Sequence, residues 1–252
     1  MKCYTPDFSS LSITADKIYA EMGYRRIQPD EHVVSLTESL LKKIQDIATP
    51  VCTFKLVNGY MDGETVRIDE GICLHVGPIL SSLLQGSEYF ALFAATAGNS
   101  FQYYQDELKK EDDILNIYTV DMIGSCIAEA TGDYMEKMLE MEIEGFRHTA
   151  RFSPGYCGWH LSGQKDLFRL LGGTPCDITL SDVCLMMPIK SISGIIGIGR
   201  NVKEKLYGCY FCDLKTCYKR QLIGHNRVNH SYFQNYEIQP FNHTINSCGS
   251  FP

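Results

Sequence analysis

The chain has 252 residues, a formal net charge of −7 and a hydrophobic fraction of 44%. That is enough chain for one large domain or a domain with a tail. The acid excess argues against nucleic acid as a partner, because phosphate contacts need clustered Lys and Arg. No run of about eighteen apolar residues exists, so no membrane span is expected. Met1-Lys-Cys-Tyr-Thr-Pro6 leads into no apolar signal core, and the expected location is the cytoplasm.

Taken in order, residues 12–24 read as a helix ending at Gly23. Pro29 and Asp30 start a second helix, whose apolar residues (Val33, Thr37, Leu40, Leu41, Ile44, Ile47) recur at helical spacing until Pro50. Residues 51–57 are β-branched and aromatic and read as a strand. Asn58-Gly59 and Asp62-Gly63 are turn signals, with short strands expected over 65–68 and 72–76. A short helix is expected from Pro78 to Gln85. Tyr89 to Ala97 is almost continuously apolar and suits a buried central strand. A charged helix near 101–110 precedes the longest one, about 113–144. Its buried stripe runs through Ile117, Val120, Gly124, Ile127, Ala128, Thr131, Met135 and Met138. The last turns of that helix are acidic, which opposes the helix dipole. Gly145 ends it, and residues 146–152 read as a strand that delivers Arg151. Ser162 is the expected cap of a helix reaching Leu171 and closed by Gly172-Gly173. Residues 184–189 and 191–198 look like a strand pair. The fold class expected is α+β: a mixed, mostly antiparallel twisted sheet packed with helices, one of them long and central.

Beyond Arg200 the composition changes. Residues 1–199 carry 16 basic and 27 acidic side chains, residues 200–252 carry 7 and 3. The expected organisation is a domain over 1–200 and a basic, Cys-containing tail over 201–252, either metal-binding or partly disordered. Of the eleven cysteines, Cys52, Cys73, Cys126 and Cys184 lie in apolar segments and read as small hydrophobes. Cys209-x-x-Cys212-x-x-x-x-Cys217 is different: such thiolates can hold zinc or part of an iron–sulfur cluster, cycle as a dithiol, or remain reduced. A fourth ligand would come from Cys157, Cys184, His225, His230 or Cys248.

The richest stretch is Arg151-Phe-Ser-Pro-Gly-Tyr156. Pro154-Gly155 sets a type II turn. Arg151 on one side offers a planar fork for a carboxylate, and Tyr156 on the other an aromatic face with a polar tip. Gly155 lets a ligand approach the backbone. The set suits a small zwitterion bearing a flat ring system. Glu129, in Ile127-Ala-Glu-Ala130, sits beside the apolar stripe of the long helix, where its carboxylate can meet a pocket edge or simply solvent.

The Arg-x-x-Pro-Gly-Tyr turn is followed by the helix from Leu161, then Ile178 to Pro188, then Ser191-Ile-Ser-Gly194. This order, over roughly residues 10–200, resembles the activation (reactivation) domain of cobalamin-dependent methionine synthase, most of all its free-standing form. Gly23-Tyr24-Arg25 with Pro29-Asp30 resembles the opening of those free-standing members. The resemblance implies binding of S-adenosylmethionine by Glu129, Arg151, Ser153, Pro154, Gly155 and Tyr156. It implies a cobalamin-facing set of Tyr156, Met187, Ser191, Ser193 and Gly194; the methionines are equally ordinary core residues. An aspartate that some members carry one turn before the glutamate is here Ser125, so a second carboxylate is missing at that place. Tyr207 is the nearest tyrosine after Ser-x-Ser-Gly.

What this implies is a reactivation subunit for a cobalamin-dependent methyltransferase. It would support reductive methylation of cob(II)alamin held by a partner, with an external electron donor. The partner would be a cobalamin-binding protein or methionine synthase subunit, since no Asp-x-His-x-x-Gly is present to supply a histidine to cobalt. Two alternatives stay open: a non-catalytic module that binds S-adenosylmethionine and a corrinoid protein, and a zinc or iron–sulfur redox protein acting through Cys209, Cys212 and Cys217.

Overall fold

The structure is a computed structural model that describes residues 1–24 and 27–202. The elements run β1 (Lys2–Tyr4), α1 (Ala15–Met22), α2 (Glu31–Gln45), β2 (Val51–Asp62), β3 (Thr65–Ile68), β4 (Cys73–His75), α3 (Gly77–Leu83), β5 (Tyr89–Thr96), α4 (Asn99–Leu108), α5 (Ile114–Glu142), β6 (Arg147–His148), α6 (Gly163–Leu170), β7 (Thr179–Leu180), β8 (Met186–Met187) and β9 (Ser191–Gly199). The fold is α+β as expected. One sheet has the order β4-β3-β2-β5-β9-β6 with β1 added on β2, and β7-β8 form a separate hairpin. Every pairing between these strands is antiparallel.

β5 is the axis of the sheet. It pairs along its length with β2 on one side and β9 on the other. Its alternate residues feed two cores. Phe90, Leu92 and Ala94 face a cluster with Leu80, Leu84, Trp159 and Leu167, from α3, α6 and the loop before α6. Ala91, Phe93 and Ala95 face the other side, where Met135 and Leu139 of α5 cover them. A third cluster joins α1, α2, α4 and the first half of α5. Burial on both faces explains why β5 has no polar alternation.

Helix ends follow the local rules. The Thr14 and Asp30 side chains accept from Lys17 N–H and Val33 N–H, and Gly23 closes α1 with φ 102°. Asp113 caps α5 through Asn116 N–H, and this contact holds its carboxyl below the usual range.

Four sequence expectations change. Asn58-Gly59 is not a turn: β2 runs through it to Asp62, and the hairpin to β3 turns at the Asp62-Gly63 signal. Glycine is needed at 59 because a Cβ there would overlap the Arg67 carbonyl of β3. The 146–152 segment is not one strand. β6 is two residues long, and the ladder breaks where the Thr149 hydroxyl, not a carbonyl, accepts from Gly197 N–H. It resumes only as an isolated bridge, Phe152 to Ile195. Residues 184–189 do not pair with β9; β8 pairs with β7 instead. The chain passes a cis Met187–Pro188 bond, and Ile189 N–H donates to Gln102 Oε1 at 2.7 Å. Ser162 precedes α6 but does not cap it through its side chain. Its hydroxyl lies 2.7 Å from His160 Nδ1.

β1 and β3 share the outer edge of β2, pairing with residues 52–54 and 59–62. Lys55 lies in the gap, with Nζ donating to Glu70 Oε1 at 2.6 Å and to the Leu170 carbonyl at 3.1 Å. Among the described residues no helix is long and apolar enough to cross a membrane, and no group of three metal-ligating side chains is assembled.

Two outcomes follow. Phe93→Ala empties a fully buried site between β5 and α5 and is expected to cost about 3–5 kcal/mol in urea unfolding. Cys52 is fully buried, and burial pushes its thiol up to about 12. At pH 8 it stays protonated, so alkylation read by mass spectrometry should label exposed Cys3 in the native protein and Cys52 only after unfolding.

Candidate functional site

The Arg151–Tyr156 turn forms as its residues dictate. Tyr156 N–H donates to the Ser153 carbonyl at 3.3 Å, and Gly155 takes φ 95° at the third position. Gly155 N–H donates to the Trp159 carbonyl (2.7 Å), and Trp159 N–H to the Tyr156 carbonyl (3.0 Å). Pro154 is buried, while Gly155 is exposed and Tyr156 is 53% exposed. The turn thus has a fixed inner side and an open rim.

Two reciprocal backbone bonds between Phe152 and Ile195, 3.0 and 2.8 Å, tie the start of the turn to β9. Gly194 permits this, because a Cβ there would overlap the Phe152 carbonyl. Arg151 is thereby aimed across the sheet at α5. At the meeting point α5 has Gly132. An added Cβ would stand 2.5 Å from Ile192 Cδ1 and 2.6 Å from Arg151 Nη1.

The guanidinium meets a row of acids on α5. Nη2 donates to Asp133 Oδ1 at 2.8 Å and to Glu129 Oε2 at 3.3 Å. Glu136 Oε2 lies 3.7 Å from Nη1, close enough for charge attraction. Nη1 itself is buried with no hydrogen-bond partner. The Arg151 side chain is 18% exposed; Glu129 and Asp133 are 60% and 50% exposed, and Glu136 15%. Glu136 also faces His148, with Oε1 3.6 Å from Nδ1. His148 Nδ1 lies 2.8 Å from the Thr149 carbonyl and Nε2 3.1 Å from Glu140. Lys2 Nζ reaches Glu142 at 3.1 Å. The acidic C-terminal half of α5 is thus faced by Arg151, His148 and Lys2.

The residues singled out from sequence fall into three groups. Glu129, Arg151, Ser153, Pro154, Gly155 and Tyr156 come together around α5 and the turn. Met187 is half-exposed on β8. Ser191 and Ser193 are buried, with their hydroxyls engaged inside the fold. Ser191 Oγ donates to the Pro188 carbonyl at 2.7 Å and lies 2.8 Å from Thr96 Oγ1. Ser193 Oγ accepts from Gln164 Nε2 at 3.1 Å. Gly194 is buried beneath Phe152. Ser125 accepts from Lys190 Nζ at 3.0 Å, and that ammonium pairs with Asp121 at 2.8 Å. Tyr207, Cys209, Cys212, Cys217, His225, His230 and Cys248 lie outside the described residues.

Sequence reading missed Asp133, Glu136 and His148. The signal was there: Glu129, Asp133, Glu136 and Glu140 recur at spacings of four, three and four, one face of a helix. The second carboxylate, absent one turn before Glu129, stands one turn after it.

No curated protein matches the chain. Among solved structures, the crystal structure of the MetH reactivation domain bound to AdoHcy matches with a TM-score of 0.58 at 18% identity, over 80% of this chain and 79% of that one. At that identity the likeness is one of fold. Residues 79–211, more than half of the chain, match the family described as vitamin B12 dependent methionine synthase, activation domain. That stretch contains α5, the Arg151 turn and β9, and the chain belongs to this family of activation domains.

Proposed function

We propose that this protein binds S-adenosylmethionine between the Arg151 turn and α5 and presents its methyl group to a cobalamin carried by a partner polypeptide. The observation that carries the reading is the direct contact of Arg151 with Glu129, 3.3 Å, beside an exposed glycine turn. A cation and an anion so placed match the carboxylate and ammonium of an amino-acid tail. The AdoHcy in the related reactivation domain supports the same ligand class.

In this reading Arg151 takes the ligand carboxylate and Glu129 its ammonium. The backbone of Ser153, Pro154 and Gly155 lies along the adenosyl part. Tyr156 and Met187, the exposed members of the second set, face the corrin, while Ser191, Ser193 and Gly194 hold β9 and the turn in register behind them. The β7-β8 hairpin also exposes Val183 and Leu185, apolar surface that suits a flat macrocycle or the protein around it.

A cobalamin on the partner, reduced by one electron from an external donor, would accept the sulfonium methyl group, and the electron pair of the broken carbon–sulfur bond would stay on sulfur in S-adenosylhomocysteine. No proton moves, so the site needs no general acid or base. This chain orients the ligand and excludes water.

Titration calorimetry tests the reading. Saturable one-to-one binding of S-adenosylmethionine is expected, weakened at least about tenfold in Arg151→Ala and Glu129→Ala, since a charge-assisted contact is worth roughly 1.5–3 kcal/mol. No binding at millimolar ligand overturns it. Gly132→Ala should separate site from scaffold. Alanine is the better helix former by about 0.8–1 kcal/mol, which offsets part of the crowding against Ile192 and Arg151, so the variant should stay folded, as a circular dichroism melt would verify. The displaced guanidinium should lower affinity for the ligand.

A further inference from the structure

Two cysteines outside the Arg151 site meet at the edge of the sheet. Cys3 of β1 pairs with Thr53 of β2, and Thr53 pairs with Ala94 of β5. Directly opposed residues of antiparallel strands share a face, so the three side chains form one row on the face turned away from α5. Thr53 is fully buried, and its hydroxyl donates to the Lys2 carbonyl at 2.6 Å, which holds β1 in place. Cys176, in the short turn Pro175–Asp177 ahead of β7, lies over this row. Its Sγ is 3.9 Å from the Ala94 carbonyl oxygen, and its thiol is within hydrogen-bonding reach of the Cys3 thiol.

Packing explains neither residue. Cys3 is exposed, where a small hydrophobe gains nothing from burial. Cys176 has φ 55° and Asp177 φ 58°, a left-handed pair that residues other than glycine seldom adopt in succession. Cys52 is no competing partner, because it lies on the opposite face under α5.

We infer that Cys3 and Cys176 are a reversible oxidation site, closing to a disulfide when Cys3 meets a small-molecule disulfide such as oxidised glutathione. No residue of the proposed ligand site takes part, so the inference stands apart from the proposed function. The Cys3 thiolate attacks one sulfur of the oxidant, whose S–S bond breaks, and one glutathione leaves as a thiolate. Cys176 then gives its proton to solvent, and its sulfur attacks Cys3 Sγ, releasing the second glutathione. Two protein thiols are oxidised, one glutathione disulfide is reduced to two thiols, and the two protons end on them. Burial pushes the Cys176 thiol up, and the Cys3 thiol beside it pushes the same way. Closure is therefore the slow step, and it quickens as pH rises. The bridge ties β1, which β2 holds over three residue pairs, to the turn that leads into the β7-β8 hairpin.

The test is disulfide mapping of the full chain by mass spectrometry. Native protein is incubated with oxidised glutathione, quenched by alkylation at intervals and digested. A peptide pair joined through Cys3 and Cys176 is expected, and dithiothreitol should release it. Its formation from the Cys3–glutathione mixed disulfide should be at least about tenfold faster near pH 9 than near pH 7. Cys176→Ser should stop at the mixed disulfide on Cys3. Cys3→Ser should leave Cys176 reduced, and Cys52→Ser should change nothing. Circular dichroism melts verify that each variant is folded, and the wild-type map decides for any that is not. Wild-type Cys3 that remains glutathionylated near pH 9, that links to another cysteine, or that stays alkylatable together with Cys176 overturns the inference.

Discussion

Arg151 is the charge on which the packing of its turn, β9 and α5 depends. A guanidinium this enclosed is costly unless it is paired. Here the pairing is supplied by a helix that is otherwise too acidic at its C-terminal end. Each element corrects a fault in the other. The row of acids on α5 needs cations, and the cation in the turn needs acids. Two glycines make the arrangement possible. Gly194 brings the turn onto β9, and Gly132 leaves room on α5 for the guanidinium. The site is therefore a property of packing between a helix, a strand and a turn. Because main-chain bonds fix the root of Arg151 at Phe152, exchange of its partners needs side-chain rotation only.

Much of the fold was legible from sequence, and the reasons are physical. α2 and α5 carry long apolar periodicities with side-chain caps at Asp30 and Asp113. β5 is buried on both faces and reads as a continuous apolar run. These signals are local. The misread elements are those decided by distant partners. Gly59 looks like a turn until β3 is laid against it. The strand into Arg151 is interrupted because one threonine hydroxyl takes a ladder position on β9. Residues 184–189 have strand composition, yet their pairing is settled by β7 and by a glutamine on α4.

The site shows the same division. The turn was readable, since proline and glycine fix their own backbone angles. Glu129 was singled out through the family resemblance, and it lies against Arg151. Asp133 and Glu136 stood in plain view at helical spacing, but nothing local distinguishes an acid that meets Arg151 from a solvated one. Only the approach of Arg151, eighteen residues on from Asp133, separates them. Ser191 and Ser193 illustrate the converse. Their motif invites a functional reading, while hydrogen bonds to Pro188 and Gln164 give both hydroxyls structural work.

The outer edge of β2 has a consequence for handling the protein. A twelve-residue strand with one open side is a template for pairing with another molecule. Here three residues of β1 cover its beginning, β3 covers its end, and a lysine occupies the interval. Lysine on an exposed edge is a common guard against strand addition. The first four residues therefore act as a shield. Trimming them would leave Cys52 and Phe54 on an unguarded edge, and self-association through β2 would then compete with solubility.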